Sequence, residues 1–462
     1  MERRGLIYVS LLLIASLLSV LVGLSRSQVY SVTIFSGLIF GTLLFWRFRL
    51  AFAFMSIAVL LASGLLDIQH LVEFASLDII LFLVGMMTVI GFLEERRFFE
   101  ILMVKVIHSV GYDVNRFVIS MMLMAALFAA LVDEVTSILF ITSTMLHVAG
   151  RYRVNPVPFI MMLVFATNIG SSATVVGNPV GVMIALKADL TFSDFLRWAS
   201  PISIVSLILT IPITMKIFSK EIKELGSHFK EQRNGTEHSE NNLPFEPSEF
   251  LLSLGVFLGT ILSLILHHQI EELFHLERNS MLLGTALGAA GVVLIIDREK
   301  ARTLIEMRVD WWTLSFFMVL FASVGTLRLT GVTGALASSL LFLAGGNETW
   351  LFASFTIIAA ILSAFMDNVL AVATFIPIIH DLQSIGVYVF PLWWGALFAG
   401  TFFGNLTMIG STANIVAVGM LERRRAGHVT FLQWLKPGIL VSVPTLVIAM
   451  LLLYLQLYLT PR

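Results

Sequence analysis

The sequence contains no cysteine, which excludes disulfide frameworks and thiolate metal sites. Charge is scarce as well. Only 13% of the 462 residues are Asp, Glu, Lys or Arg, against about 25% in an ordinary soluble domain. So few charges cannot cover a water-exposed surface of this size. The net charge is −1, so there is no basic footprint and no nucleic-acid partner is expected. Two further signatures are missing. No G-x-x-x-x-G-K-[ST] loop and no H-E-x-x-H run occurs, so neither ATP-driven chemistry nor a zinc-peptidase helix is encoded. No cofactor is expected.

What is present is apolar. Hydrophobic residues make up 58% of the chain and the mean hydropathy is +0.92. Leu6–Leu24, Ala51–Leu66, Ile79–Leu93 and Phe250–Leu266 are nearly free of charge. About 20 apolar residues cross a bilayer as a helix. The runs are continuous rather than alternating, which excludes a lipid-facing barrel. The expectation is an all-α integral membrane protein with about 11 transmembrane helices plus two re-entrant hairpins, its first partner being the lipid bilayer. The run after Arg3 and Arg4 is too long for a cleaved leader and reads as a retained first span.

Basic residues near span ends mark the cytoplasmic side. Arg3 and Arg4 place the N-terminus inside, and Arg47, Arg49, Arg96 and Arg97 return there. Residues 95–116 read as a stretch along the interface. Met121–Gly150 has the length of one span but carries Asp133 and Glu134 in its middle and ends at Arg151 and Arg153. Read as a hairpin, it leaves those arginines inside. Span 156–187 then runs out and span 194–218 returns. The polar segment 219–247, without apolar periodicity, reads as a cytoplasmic linker. A second hairpin at 349–380 enters from outside.

The two halves repeat. Asp133-Glu134 corresponds to Asp367-Asn368, 234 residues later. Thr174-Val175-Val176-Gly177-Asn178 corresponds to Thr407-Met408-Ile409-Gly410-Ser411, 233 later. Phe195, Trp198 and Pro201 correspond to Phe431, Trp434 and Pro437, 236 later. The charge topology makes the repeat inverted. This divides the chain into an extra N-terminal helix (1–28), a first repeat (29–218), a linker (219–248) and a second repeat (249–462). Inverted repeats place a binding site near the bilayer midplane, between broken helices.

Two recurring elements carry the chemistry. The hairpin tips hold Asp133, Glu134 and Thr136 in one half and Asp367 and Asn368 in the other. A charge at membrane depth costs about 2.5–3.5 kcal/mol on insertion scales and persists when it faces a cavity, pairs or takes a proton. Asp133, Glu134 and Asp367 have no evident intramembrane basic partner in the sequence. They are therefore read as proton-coupling or cation-binding groups, serving H+ or Na+. The plainer alternative is a neutral carboxyl tying helices together. The second element is a polar break inside a span. It contributes Asn168, Ser171, Ser172, Thr174 and Asn178 in one half and Asn405, Thr407, Ser411, Thr412 and Asn414 in the other. Glycines permit an unwound backbone, and Pro179 suits the start of a half-helix. The freed N–H groups and positive dipole end suit an anionic group. The plainer alternative is close packing by small residues. Elsewhere His267, His268 and His275 read as a solvated outer loop. Trp311-Trp312 and Trp393-Trp394 read as interfacial anchors.

In these motifs the chain resembles the ion-transporter superfamily, nearest the arsenite permease and pink-eyed-dilution P protein branch. Sodium/proton antiporters and sodium/dicarboxylate symporters are more distant. Asp367-Asn368 matches the branch's hairpin pair, while Asp133-Glu134 replaces its amide with an acid. The run Asn168–Gly181 has Asn178 where the branch has Asp, and Gly404, Asn405, Thr407, Gly410, Ala413 and Asn414 match its second run. The resemblance implies two hairpins, alternating access and often a homodimer, in a prokaryotic inner membrane. It implies ion-coupled secondary transport of an inorganic oxyanion or metalloid (arsenite-like) by proton antiport. The alternatives are sodium/proton exchange or sodium-coupled uptake of an organic anion such as a dicarboxylate. An intramembrane aspartyl protease using Asp133 and Asp367 is a remote alternative, since no G-x-G-D occurs. A passive channel would need no coupling carboxylates. No enzymatic activity is expected.

Overall fold

The computed structural model describes residues 2–111, 113–234 and 246–459. Among these every regular element is a helix, and nine helices are long and apolar enough to cross a membrane. The chain runs α1 (Glu2–Leu21), α2 (Arg26–Leu44), α3 (Arg49–Ala62), α4 (Ile68–Phe74), α5 (Leu77–Glu95) and α6 (Phe98–Val110). It continues with α7 (Val114–Leu131), α8 (Glu134–Tyr152), α9 (Val157–Ser171) and α10 (Pro179–Lys187). Then come α11 (Phe192–Asp194), a π turn (Phe195–Ala199), α12 (Ser200–Ile217) and α13 (Ser219–Asn234). The second half holds α14 (Pro247–Phe274), α15 (Ser280–Ile296), α16 (Ala301–Arg308), α17 (Trp311–Leu329) and α18 (Val332–Leu343). It closes with α19 (Glu348–Phe365), α20 (Asn368–Ser384), α21 (Phe390–Phe403), α22 (Thr412–Arg423) and α23 (Phe431–Leu459).

α7 and α8 fold back on each other. Ser137 on α8 donates to the carbonyl of Ala125 on α7 at 2.9 Å, a contact that a continuous helix cannot make over 12 residues. Phe229 on α13 packs edge-on against Phe117 and at a tilt against Tyr152, so the two open ends of this hairpin lie together. α19 and α20 form a second hairpin, with Phe355 against Phe375 at 5.2 Å. The hairpins open toward opposite ends. α12 begins beside Trp198, which packs on Phe390 next to the second hairpin's mouth, and it ends in α13 at the mouth of the first. α9–α10 and α21–α22 are each one helix broken in the middle, as the glycine-rich runs require.

Residue contacts recur at the repeat spacing. Thr174 donates to Ala130 O, and Thr407 donates to Ala364 O. Gly177 closes on the Ser171 carbonyl and Gly410 on that of Gly404, leaving no room for a Cβ at either. Farther out, Gly91 packs on the Arg308 side chain and Gly325 on the Phe74 ring. The helices sort into two bodies. A wall comprises α2–α5 with α14–α17, and a core comprises α7–α12 with α19–α23; α6 and α18 connect them.

Three sequence expectations need correction. The polar segment after 218 is not linker throughout. Ile222, Leu225 and Phe229 give α13 one buried face against the first hairpin, and three apolar residues in a charged stretch suffice at helical spacing. Residues 235–245 of that linker lie outside the described residues. His267 and His268 are not in a loop. α14 runs through them to Phe274, burying His267 and Glu271, and Glu271 accepts from Met281 N at 2.8 Å to tie α15 in place. Trp393 and Trp394 are core residues rather than interfacial anchors. Trp394 is fully buried against Phe195 and Phe390, because α21 is enclosed on all sides. Trp311 and Trp312 stay exposed.

Candidate functional site

The hairpin tips meet. Glu134 follows the N-cap of α8 and is buried. Its Oε1 accepts from Asn368 Nδ2 at 3.1 Å, and its Oε2 lies 3.2 Å from the Ser171 hydroxyl in the first break. Asn178 donates to Ser171 Oγ at 2.7 Å and caps α10 by accepting from Gly181 N. Asp133 caps α8, its Oδ2 accepting from the N–H groups of Val135 and Thr136 at 3.1 Å each. Asp367 caps α20 through Val369 N and accepts from the Thr412 hydroxyl at the start of α22. The two aspartates thus start the helices at the hairpin tips, and Glu134 faces Asn368 across the repeat axis.

Behind the tips lies an amide cluster. Asn168 Nδ2 donates to Asn405 Oδ1 at 2.6 Å and to Asn414 Oδ1 at 2.8 Å. Ser411 donates to Asn168 Oδ1, and Asn414 Nδ2 donates to the carbonyls of Gly404 and Thr407. Asn405 Nδ2 reaches Phe165 O at 3.3 Å. Ser411 also caps α22 through Ala413 N. All four side chains are fully buried. Buried polar groups left unpaired would cost about 1–3 kcal/mol each, so this satisfied set fixes the two broken helices to one another.

Some of the sequence candidates are turned away from the tips. Ser172 bonds to Ser203 on α12 at 2.7 Å and to its own turn. Thr174 and Thr407 staple each break to the hairpin of the same half.

One residue was missed. Arg49 opens α3 and was read as an inner flanking charge. It is instead 7% exposed. Its Nη2 donates to Thr313 Oγ1 at 2.7 Å, and it stacks on Trp46 and Phe316. Asp367 lies within electrostatic reach, and Arg49 Nε has no hydrogen-bond partner among the described residues. Asp367 therefore does have a basic neighbour, supplied by the wall. Nothing in the sequence spacing links positions 49 and 367.

Paired hairpins abutting paired broken helices define a membrane carrier. The chain belongs to the citrate transporter family, whose profile matches residues 38–399 and 335–461. It is 31% identical over 387 residues to an uncharacterized transporter of Mycobacterium tuberculosis, covering 82% of this chain and 86% of that one. A Synechocystis transporter, also uncharacterized, is 23% identical over 86% of this chain and 91% of its own. The human P protein is 24% identical over 83% of this chain, which spans about half (54%) of that protein. The resemblance to the ion-transporter superfamily and to P proteins therefore holds, and the chain is a multi-pass membrane transporter rather than an enzyme.

Proposed function

We propose that the protein is an ion-coupled carrier of an organic anion of the citrate class, using H+ or Na+ as the coupling ion. The observation that carries this reading is the charge around the meeting tips. Glu134 and Asp367 are buried where the tips meet and Asp133 caps the neighbouring helix, while Arg49 is a buried cation within electrostatic reach of Asp367 among the described residues. Two like charges about 5 Å apart repel by about 3 kcal/mol at an effective dielectric of about 20. An anion can occupy this site only if positive charge arrives with it. That favours co-transport of the cation over the proton antiport that the resemblance to arsenite permeases implies. Membership of the citrate transporter family supports citrate over arsenite.

In this reading eleven helices cross the membrane and the hairpins dip in from opposite faces. The N-terminus is cytoplasmic and the membrane is the prokaryotic inner membrane. Glu134, Asn368, Asp367 and Thr412 line the cation site, and Arg49 with the half-helix ends meets the anion. The test is flux in proteoliposomes of citrate, dicarboxylates, sulfate and arsenite, each with and without a proton gradient, Na+ and divalent cations. Citrate uptake that rises with an inward cation gradient is expected. Uptake of arsenite alone, or anion flux indifferent to every cation gradient, would overturn the proposal.

A further inference from the structure

The repeat symmetry holds inside each body and fails between them. Within the wall, Gly91 on Arg308 mirrors Gly325 on Phe74, both pairs being shifted by 234 residues. Within the core, Thr174 on Ala130 mirrors Thr407 on Ala364. At the boundary, α20 packs along α17 and α18, and α10 packs on α5. The repeat counterparts are α8 with α5 and α6, and α22 with α17. Among the described residues these pack less closely, α8 meeting α6 where Phe99 lies 5.5 Å from Phe140.

Exposure follows the same division. Leu139 on α8 is 39% exposed, and its counterpart Ala373 on α20 is 3% exposed. Val182 and Met183 on α10 are buried, whereas Ile415 and Val416 on α22 are partly exposed. Charge pairs agree. Asp78–Lys187 at 3.1 Å, Arg328–Asp381 at 3.4 Å and Asp194–Arg278 at 3.9 Å join wall to core on the side of the second hairpin's mouth. On the other side Glu94–Arg308 at 3.1 Å and Arg96–Asp297 at 3.0 Å stay within the wall. Wall and core are thus joined by charge pairs toward the second hairpin's mouth, around a pocket of about 280 Å³ lined by Phe74, Lys187, Arg328 and His380, and their contact is sparser toward the first's among the described residues.

Two bodies that are each pseudo-symmetric can meet in a second, equivalent way in which the repeats exchange roles. Moving the wall–core pair Arg328–Asp381 back by 234 residues lands on Glu94 and His147. We propose that in the alternate state Glu94 on α5 and His147 on α8 come together and join wall to core on the side of the first hairpin's mouth. His147 is exposed in this structure, and Glu94 would exchange its present partner Arg308 for it. This rests on the transport reading above, but on none of its substrate assignments.

The natural absence of cysteine makes the test clean. In the full chain in proteoliposomes, Arg328→Cys/Asp381→Cys and Glu94→Cys/His147→Cys are oxidised with copper phenanthroline. Remaining thiols are counted by maleimide-polyethylene-glycol gel shift after denaturation. Both pairs should lose their thiols, and each disulfide should stop citrate flux until it is reduced. An off-register pair, Glu94→Cys/Val148→Cys, should keep its thiols. The proposal is overturned if the 94/147 thiols survive where the 328/381 thiols are lost. It is also overturned if the off-register pair closes equally well, or if the 94/147 disulfide leaves flux intact. Disulfides that form as described in a protein moving no anion of the panel would sink the substrate reading and leave this one standing.

Discussion

Glu134 and Asn368 occupy equivalent positions in the two repeats, 234 residues apart, and hydrogen-bond to each other at 3.1 Å. The pseudo-two-fold axis therefore passes between a carboxylate and an amide. Where symmetry would set two identical groups face to face, the sequence has made one of them ionisable. Two acids there would repel, and two amides would carry no charge. The asymmetry leaves one titratable group at the axis, flanked by Asp133 and Asp367.

Glu134→Gln should therefore keep the hydrogen bond to Asn368 and the fold while removing the coupling charge. Expression and thermal stability in detergent should match the parent. Citrate uptake should lose its response to the proton or sodium gradient. A variant that remains fully gradient-driven would remove Glu134 from the coupling.

Arg49→Lys is the sharper test of the wall's contribution. A lysine keeps the charge but cannot hold Thr313 while stacking on Trp46 and Phe316. The apparent KM for the anion should rise with little change in maximal rate, and Arg49→Ala should abolish uptake. An unchanged KM in Arg49→Lys would show that the guanidinium does not meet the anion.

Thr407→Val and Thr174→Val remove the staples to Ala364 and Ala130. Each leaves a buried carbonyl short of a donor, at a cost of about 1–3 kcal/mol. Both should lower the unfolding temperature while leaving apparent substrate affinity as it was. Weakened affinity at unchanged stability would return these hydroxyls to the binding site.

Gly177→Ala would drive a methyl into the Ser171 carbonyl, which is backbone and cannot swing aside. Overpacking of this kind costs about 1–3 kcal/mol. Gly150→Ala, with nothing within 4 Å of the added methyl, should be silent. Equal stability of the two variants by thermal unfolding would show that the break does not need its glycine.

Much of this architecture is legible in the sequence because it rests on local signals. Apolar runs mark the helices, an acid within such a run marks each hairpin tip, and glycine with asparagine marks each break. The matching spacing of these marks reveals the repeat. What is not legible depends on enclosure. Trp393-Trp394 reads as an interfacial pair until α20 and the π turn cover it. Arg49 reads as a flanking charge because burial at the wall–core boundary leaves no trace in its neighbours along the chain. The helix α13 was hidden by its composition, since Ile222, Leu225 and Phe229 are few among many charges. Ser172 could not be told from Ser171 by type. Which of two adjacent hydroxyls faces the tips is decided by where the helix ends.

The bonded amides of Asn168, Asn405 and Asn414 bear on how cargo can change sides. They lash the two fractured spans together at their weakest points, so neither can part without stranding donors in a dry interior. If the protein carries an anion as proposed, that knot favours shifting both spans together as one piece over parting them.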